Sequence, residues 1–315
     1  MEVFVGLDVG GTQIKGGALR AEELNSLDPA RVTGRLVSID TELERGVERF
    51  FDRLADFARE LGFEGCLGVG FPGIFRTGSS VLLRSANMGA LAGIDLGAEL
   101  ASRLDVDPHS LRVGNDANLA AYGEQWLGAG RGLADLVLLT LGTGIGGGIL
   151  LDGELFTGPG GRGAEIGHLI VRGRRPGEPE EDGLRCGCGT YGCLERLASA
   201  TATRRRAAAA GLTTDLPQLV RAARVSSGPE RDLLHAVGRD LGQGMLNVAT
   251  LLDISTFIVG GGFGSALFAL RPGIEEALAE RRYGDHALRV VPAELGTSAG
   301  WIGAVRVAIE AADGP

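Results

Sequence analysis

The spacing of apolar and polar residues changes several times along the chain, and each change predicts an element. Val3 to Asp8 is a short apolar run, Gly10-Gly11-Thr12 supplies turn residues, and apolar positions resume through Leu19. That succession predicts a strand, a tight turn and a second strand. Between Gly46 and Leu61, Val47, Phe50, Phe51, Leu54, Ala58 and Leu61 recur at helical spacing against Glu48, Arg49, Arg53, Asp56, Arg59 and Glu60, which predicts an amphipathic helix. Strands are expected near Leu67 to Phe71 and Leu111 to Val113. Leu136 to Leu141 then runs into Gly142-Thr-Gly-Ile-Gly-Gly-Gly148 and leaves through Ile149-Leu-Leu, a second strand, glycine turn and strand. One such hairpin opens each half, so duplicated lobes are expected. Arg172 to Arg185, charged and rich in proline and glycine, reads as an exposed loop. Helical segments dominate to about Leu252, Thr256 to Val259 reads as a strand entering Gly260-Gly261-Gly262, and Trp301 to Ile309 as a closing helix.

Composition narrows the classes. A chain of 315 residues is long enough for two domains, each with its own core. Its 31 basic and 40 acidic side chains give a net charge of -9, which argues against holding nucleic acid on a broad basic face but leaves room for a small anion at a local site. The N-terminus lacks a basic lead and a long apolar core, so no secretory signal is expected. The longest apolar stretch, Leu136 to Leu151, is broken by threonine and glycines, so no membrane span is expected either. Cytoplasmic residence and reduced cysteines follow as expectations. Lys15 is the only lysine, every other basic side chain being arginine. A compact ammonium binds phosphate as a point charge where a guanidinium fork does not fit, although a single lysine can equally stand on a strand surface by chance.

Three of the four cysteines lie in Cys186-Gly-Cys188-Gly-Thr-Tyr-Gly-Cys193, with Glu195 just after and Glu165-Ile-Gly-His168 upstream. Thiolates and an imidazole are preferred zinc ligands, and closed structural sites often take three cysteines and one histidine. Cys186, Cys188, Cys193 and His168 supply that set; a disulfide with a spare thiol and a coincidental clustering are the alternatives. Cys66, in an apolar strand-like run, reads as a small buried hydrophobe.

Backbone N–H groups converging in a glycine-rich turn bind phosphate without side-chain obstruction. Asp8-Val-Gly10-Gly11-Thr12-Gln-Ile-Lys15 and Leu141-Gly142-Thr143-Gly144-Ile-Gly-Gly-Gly148 have that character, and neither ends like a Walker loop. Each alone is equally a tight turn; together, with Gly260, Gly261 and Gly262 as a third place of close approach, they favour a nucleotide. Asn115-Asp116-Ala-Asn118 follows a strand and precedes a helical stretch, where Asn and Asp serve as caps or, beside a cleft, as a proton acceptor for an attacking hydroxyl.

These segments resemble the ROK family of sugar kinases and repressors over nearly the whole chain. Cys186 to Glu195 fits the family pattern C-x-C-G-x-x-G-C-x-E at every fixed position. Asp8 to Lys15, Asn115 to Asn118, Leu141 to Gly148 and Glu165 to His168 are similar to its first phosphate, catalytic, second phosphate and sugar-binding segments. The resemblance implies an α/β, two-lobed actin-like (ribonuclease H-like) fold with a structural zinc knuckle in the second lobe. Residues 1–115 plus 300–315 would form the smaller lobe and 116–299 the larger. It further implies ATP-dependent phosphorylation of a hexose, with hexose and MgATP meeting in the cleft, Asp116 as general base for the 6-hydroxyl, and Asp8 helping to place Mg²⁺. Asn87, Asn115, Glu165, His168 and Glu195 would hold sugar hydroxyls, His168 using its other ring nitrogen for zinc. Gly10, Gly11, Thr12, Lys15, Gly142, Thr143, Gly144 and Gly260 to Gly262 would hold the nucleotide. The His168 to Cys186 interval is longer than in the family, and Met88 stands where family glucokinases often carry tryptophan. Glucose is the expected acceptor, with an N-acetylhexosamine, fructose or another hexose as alternatives, and a non-catalytic sugar sensor or repressor as the alternative of another class. Family repressors carry a DNA-binding helix-turn-helix ahead of the first phosphate strand, for which no room is expected before Val3. A homodimer or homotetramer is implied, with no nucleic-acid or membrane partner.

Overall fold

Two five-stranded sheets organise the chain, in a computed structural model that describes residues 2–174, 183–225, 227–280 and 287–312. In the first sheet β1 (Val3–Val9) pairs antiparallel with β2 (Gln13–Arg20), and β2 with β3 (Val37–Asp40). On the other side of β1 lies β4 (Cys66–Phe71); a short ladder of β5 (Ile74–Phe75) and β6 (Leu82–Arg84) follows, and β7 (Leu111–Asn115) closes the sheet parallel to β4. The second sheet contains β8 (Leu136–Leu141), β9 (Ile145–Leu151), β10 (Glu154–Leu155), β11 (Thr256–Gly260) and β12 (Arg289–Pro292), in the order β10-β9-β8-β11-β12. Counted by order in the chain, both sheets run third, second, first, fourth, fifth. The duplication expected from the two glycine hairpins is therefore a duplication of strand order.

Ten α-helices complete the described chain: α1 (Pro29–Thr33), α2 (Val47–Glu60), α3 (Leu96–Leu104), α4 (Asp116–Leu127), α5 (Leu194–Ala198), α6 (Ala200–Ala209), α7 (Leu216–Val225), α8 (Pro229–Leu252), α9 (Leu267–Ala279) and α10 (Ala299–Ala312). The amphipathic helix expected over 46–61 is α2, and the closing helix is α10 (Ala299–Ala312), longer than its apolar pattern because the flanking Ala299, Ala311 and Ala312 are strong helix formers. Sequence periodicity did not reveal β3, in whose Val37-Ser-Ile-Asp only Ile39 packs on the core, half-buried, nor β12, a short strand ending at a proline. No helix among the described residues is long and apolar enough to cross a membrane. Of the charged loop expected over 172–185, residues 175–182 lie outside the described residues.

The chain forms two compact units. One takes residues up to Ala134, Gly148–Ala164 and everything from Glu294; the other takes Asp135–Gly147 and Glu165–Ala293. The expected lobe boundary at 115/116 thus differs from the observed division, and the expected 299/300 boundary from 293/294. The reason is packing: Leu127 and Trp126 of α4 share an apolar cluster with Trp301, Ile302 and Val305 of α10.

In the first unit, strand alternation sorts β1 into two faces. Val5, Leu7 and Val9 pack with Phe50, Phe51 and Leu54 of α2, whereas Phe4 joins the α10 cluster. Gly6 shares the Phe4 face, and a side chain there would meet the Trp301 carbonyl at 2.1 Å, so α10 lies directly on the strand backbone. The next residue on this face is Asp8, which is how a carboxyl comes to stand under the start of α10. Cys66, at the start of β4, is only partly buried, with Sγ 3.8 Å from Glu2 Oε1. Desolvation first, and Glu2 second, push its thiol pKa up. In the second unit β8 and β11 are buried along their length apart from half-buried Thr140, and α8 packs along α9.

Candidate active site

The residues singled out from the sequence fall into two groups, one in each unit. In the first unit, Gly10 N donates to Gln13 O at 2.8 Å and closes the turn between β1 and β2, leaving Gly11 and Thr12 exposed. Thr41, itself fully buried, braces that turn: its hydroxyl donates to Gly10 O (2.7 Å) and its N–H to Thr12 O (3.0 Å). Asn87 lies beside it, 3.6 Å from where a Cβ on Gly11 would stand.

Asp8 is registered against Lys15 of β2 and Gly70 of β4. A side chain on Gly70 would touch Asp116 Cα at 3.3 Å, and one on Gly300 would strike the Asp8 carboxyl carbon at 2.5 Å. Two missing side chains therefore make room for two carboxylates. Burial pushes the Asp8 pKa up to about 7, repulsion from Asp116 adds to it, and Lys15 opposes. Charged forms are disfavoured by low dielectric and by like neighbours, which is the direction seen.

Asp116 opens α4. The capping reading holds for Asn115, whose Oδ1 accepts from Asn118 N (3.0 Å) while its Nδ2 donates to Gly73 O (3.0 Å). A carboxamide oxygen has a second lone pair and its nitrogen a second proton, so each atom keeps one position for a ligand. Asp116 Oδ1 accepts from Ala117 N at 2.8 Å, which anchors the carboxylate at the helix N-terminus.

In the second unit, Gly142 N donates to Gly144 O (3.0 Å) in the turn between β8 and β9. Beside it lies the turn after β11. Gly261, at φ +80°, would bring a side chain within 2.4 Å of Leu141 O, and Phe263 N donates to that same carbonyl at 2.9 Å. Gly261 and Gly262 are exposed, whereas Gly260 is buried in β11 against Ala293, so only the first two can face a ligand.

Ile170 bridges to Cys193 and Leu194 N donates to Leu169 O (2.8 Å), which brings the His168 segment onto the cysteine knuckle. The four donor atoms of His168, Cys186, Cys188 and Cys193 lie within 4.8 Å of one another. His168 Nδ1 is 3.5 Å from Cys186 Sγ, and the Cys188 and Cys193 sulfurs are 3.6 Å apart. Bonds of about 2.3 Å to sulfur separate tetrahedral ligands by about 3.8 Å, so the donor set and spacing fit a closed four-ligand metal site. The other ring nitrogen, Nε2, lies 3.9 Å from Glu165 Oε2. Burial raises the Glu165 pKa, with His168 opposing and Glu195 adding to the rise. Glu195 joins the knuckle to the turn: Oε1 is 3.1 Å from Cys186 Sγ, and Oε2 is 2.7 Å from where a Gly144 Cβ would be.

Sequence reasoning passed over Thr41, Thr190 and Gly300. Thr190 Oγ1 lies 2.7 Å from Cys188 Sγ and 3.1 Å from Cys193 Sγ; its place inside the cysteine spacing was the available signal. Thr41 carried none.

The ROK family matches residues 4–311. A glucokinase of Thermotoga maritima is 40% identical over 205 residues, covering 64% of this chain and 59% of that protein. A glucokinase of Halalkalibacterium halodurans is 31% identical, with 95% and 93% covered. An N-acetyl-D-glucosamine kinase of Pectobacterium atrosepticum is 34% identical over 62% of each. Among solved structures, the ROK hexokinase of Thermus thermophilus superposes with a TM-score of 0.78 at 31% identity, covering 99% of this chain and 100% of that one. A Streptomyces griseus ROK glucokinase in complex with glucose and AMPPNP gives 0.76 at 29%, with 98% and 100% covered. The α/β two-sheet fold is that of these actin-like sugar kinases.

Proposed function

Because this chain belongs to the ROK family, we propose that it is an ATP-dependent sugar kinase whose acceptor is a hexose, glucose foremost. The observation that carries the reading is the pairing of Asp116, at the start of a helix, with half-buried Asp8 and Lys15 beside a glycine turn. Phosphoryl transfer asks a protein for positioning and charge neutralisation more than for covalent help. Asp116 takes the proton of the sugar's 6-hydroxyl as the hydroxyl oxygen attacks the terminal phosphorus of ATP, and the bond from that phosphorus to the bridging oxygen breaks to release ADP. Asp8 and Lys15 would hold the magnesium-bound phosphates of MgATP, and the turns at Gly10 to Thr12, Gly142 to Gly144 and Gly261 to Gly262 would supply N–H donors. Asn87, Asn115, Glu165, His168 and Glu195 orient the ring so that one hydroxyl is in reach, and orientation of that kind contributes roughly 7–11 kcal/mol of a barrier.

The metal that the knuckle's donors suit best is zinc, which His168 Nδ1 and the three cysteine sulfurs would hold. A closed set of four protein ligands leaves no open position for water, so the ion would supply rigidity, fixing the His168 ring with Nε2 toward the sugar and Glu165. The second reading is an N-acetylhexosamine acceptor, favoured by the relative that phosphorylates N-acetyl-D-glucosamine and by Met88 in place of a tryptophan.

An ATP-coupled screen over glucose, mannose, fructose, allose, N-acetylglucosamine and N-acetylmannosamine tests both. Glucose is expected to give the highest kcat/KM. A higher value for an N-acetylated sugar replaces the first reading with the second, and no ADP release with any sugar removes the kinase.

A further inference from the structure

Glu124 is fully buried, near the C-terminal end of α4, and makes no ion pair with any described residue. Its carboxylate instead accepts three backbone N–H groups: Oε2 from Ala129 (2.9 Å) and Glu294 (3.1 Å), and Oε1 from Leu295 (2.8 Å). The loop after α4 wraps around it. A side chain on Gly128 would stand 2.1 Å from Oε2, and the Glu124 carbonyl accepts from Gly128 N and Gly130 N. An ionised carboxylate is an acceptor only, which suits three converging donors; a glutamine would turn an NH₂ toward one of them.

Segment 294–295 feeds α10, whose first turn carries Gly300 against the Asp8 carboxyl. At its other end α4 begins with Asp116. At their closest approach the two helices meet backbone to backbone, since a Cβ on Gly303 would stand 1.7 Å from Leu119 O and one on Gly123 2.3 Å from Ala299 O. We propose that Glu124 is a positioning residue for phosphoryl transfer: by tying the approach to α10 onto the end of α4 it sets the register of the helix that presents Asp116 against the helix that packs on Asp8. The inference rests on the kinase reading above. Among the residues the sequence singled out, none lies at this clamp.

The molecule carries its own reporters, since its two tryptophans are Trp126 on α4 and Trp301 on α10, both in the apolar cluster that joins these helices. The experiment compares wild type, Glu124→Gln and Glu124→Ala in steady-state kinetics, tryptophan emission and thermal melting, all kinetics being run well below each variant's Tm. Wild-type turnover decides the kinase reading; the ratio of variant to wild type decides the role of Glu124. A misplacement near 1 Å lowers a rate by about 10²-fold, so kcat is expected to fall between about tenfold and that value in Glu124→Gln, and further in Glu124→Ala. Sugar KM should stay within twofold, with tryptophan emission shifted. A folded Glu124→Gln whose kcat stays within twofold of wild type overturns the proposal, as does a loss matched by the unfolded fraction in the melt. Equal rises in KM with kcat unchanged overturn it too, because they assign Glu124 to sugar binding.

Discussion

A carboxylate at residue 116 follows its own helix cap, so its position is held from below by Asn115 and by the N–H of Ala117. Asp116→Asn keeps the shape and removes the proposed base. Its kcat is expected to fall by roughly 10²–10⁴-fold, while glucose affinity measured by calorimetry stays within a few-fold; retention of most of the activity rules out the base assignment. Asp8 offers a separate test through pH. Its folded pKa of about 7 lies above the reference value of 3.8, so between those limits the folded state binds more protons than the unfolded one and this group's contribution to stability falls as pH rises. Asp8→Asn removes the titration. Without nucleotide, the variant is expected to melt with wild type near pH 4 and above it at pH 8, even as its activity drops. Equal differences in Tm at both pH values would contradict a raised pKa.

At the scale of elements, the knuckle joins three cysteines, His168 and Glu195 within one short stretch of backbone hydrogen bonds. Removing the proposed zinc by chelation, verified by metal analysis before and after, is therefore expected to lower Tm and to raise the sugar KM, because Glu195 and His168 would loosen together. Unchanged melting and kinetics after complete removal would separate the knuckle from the sugar site. The regular elements were legible wherever one face is buried. The stripe of α2 with Phe50, Phe51 and Leu54 reads directly as a helix, and both glycine hairpins read as hairpins. The edge strand β3 was not legible, since four residues with a single half-buried apolar position, Ile39, are too few to show an alternation.

Over the whole molecule, the chain's own order of residues determined which donors were available: three thiols and an imidazole at metal-ligand spacing, two glycine turns, and an Asn-Asp pair at a helix start. The turns, the helix start and the three thiols depend on neighbours a few residues apart, and local geometry follows from local sequence; His168, 18 residues before Cys186, joins them through the Ile170–Cys193 bridge. Tertiary structure decided what chain distance hides. It set Asp8 beside Asp116 across β4, with Gly70 and Gly300 clearing the space, and it braced the first turn with Thr41, thirty-one residues from Gly10. It also wrapped backbone donors from 129 and from 294–295 around Glu124. Such contacts arise because burial in a close-packed core fixes which surfaces meet, and a single glutamate in a helical stretch carries no sign of what will fold against it.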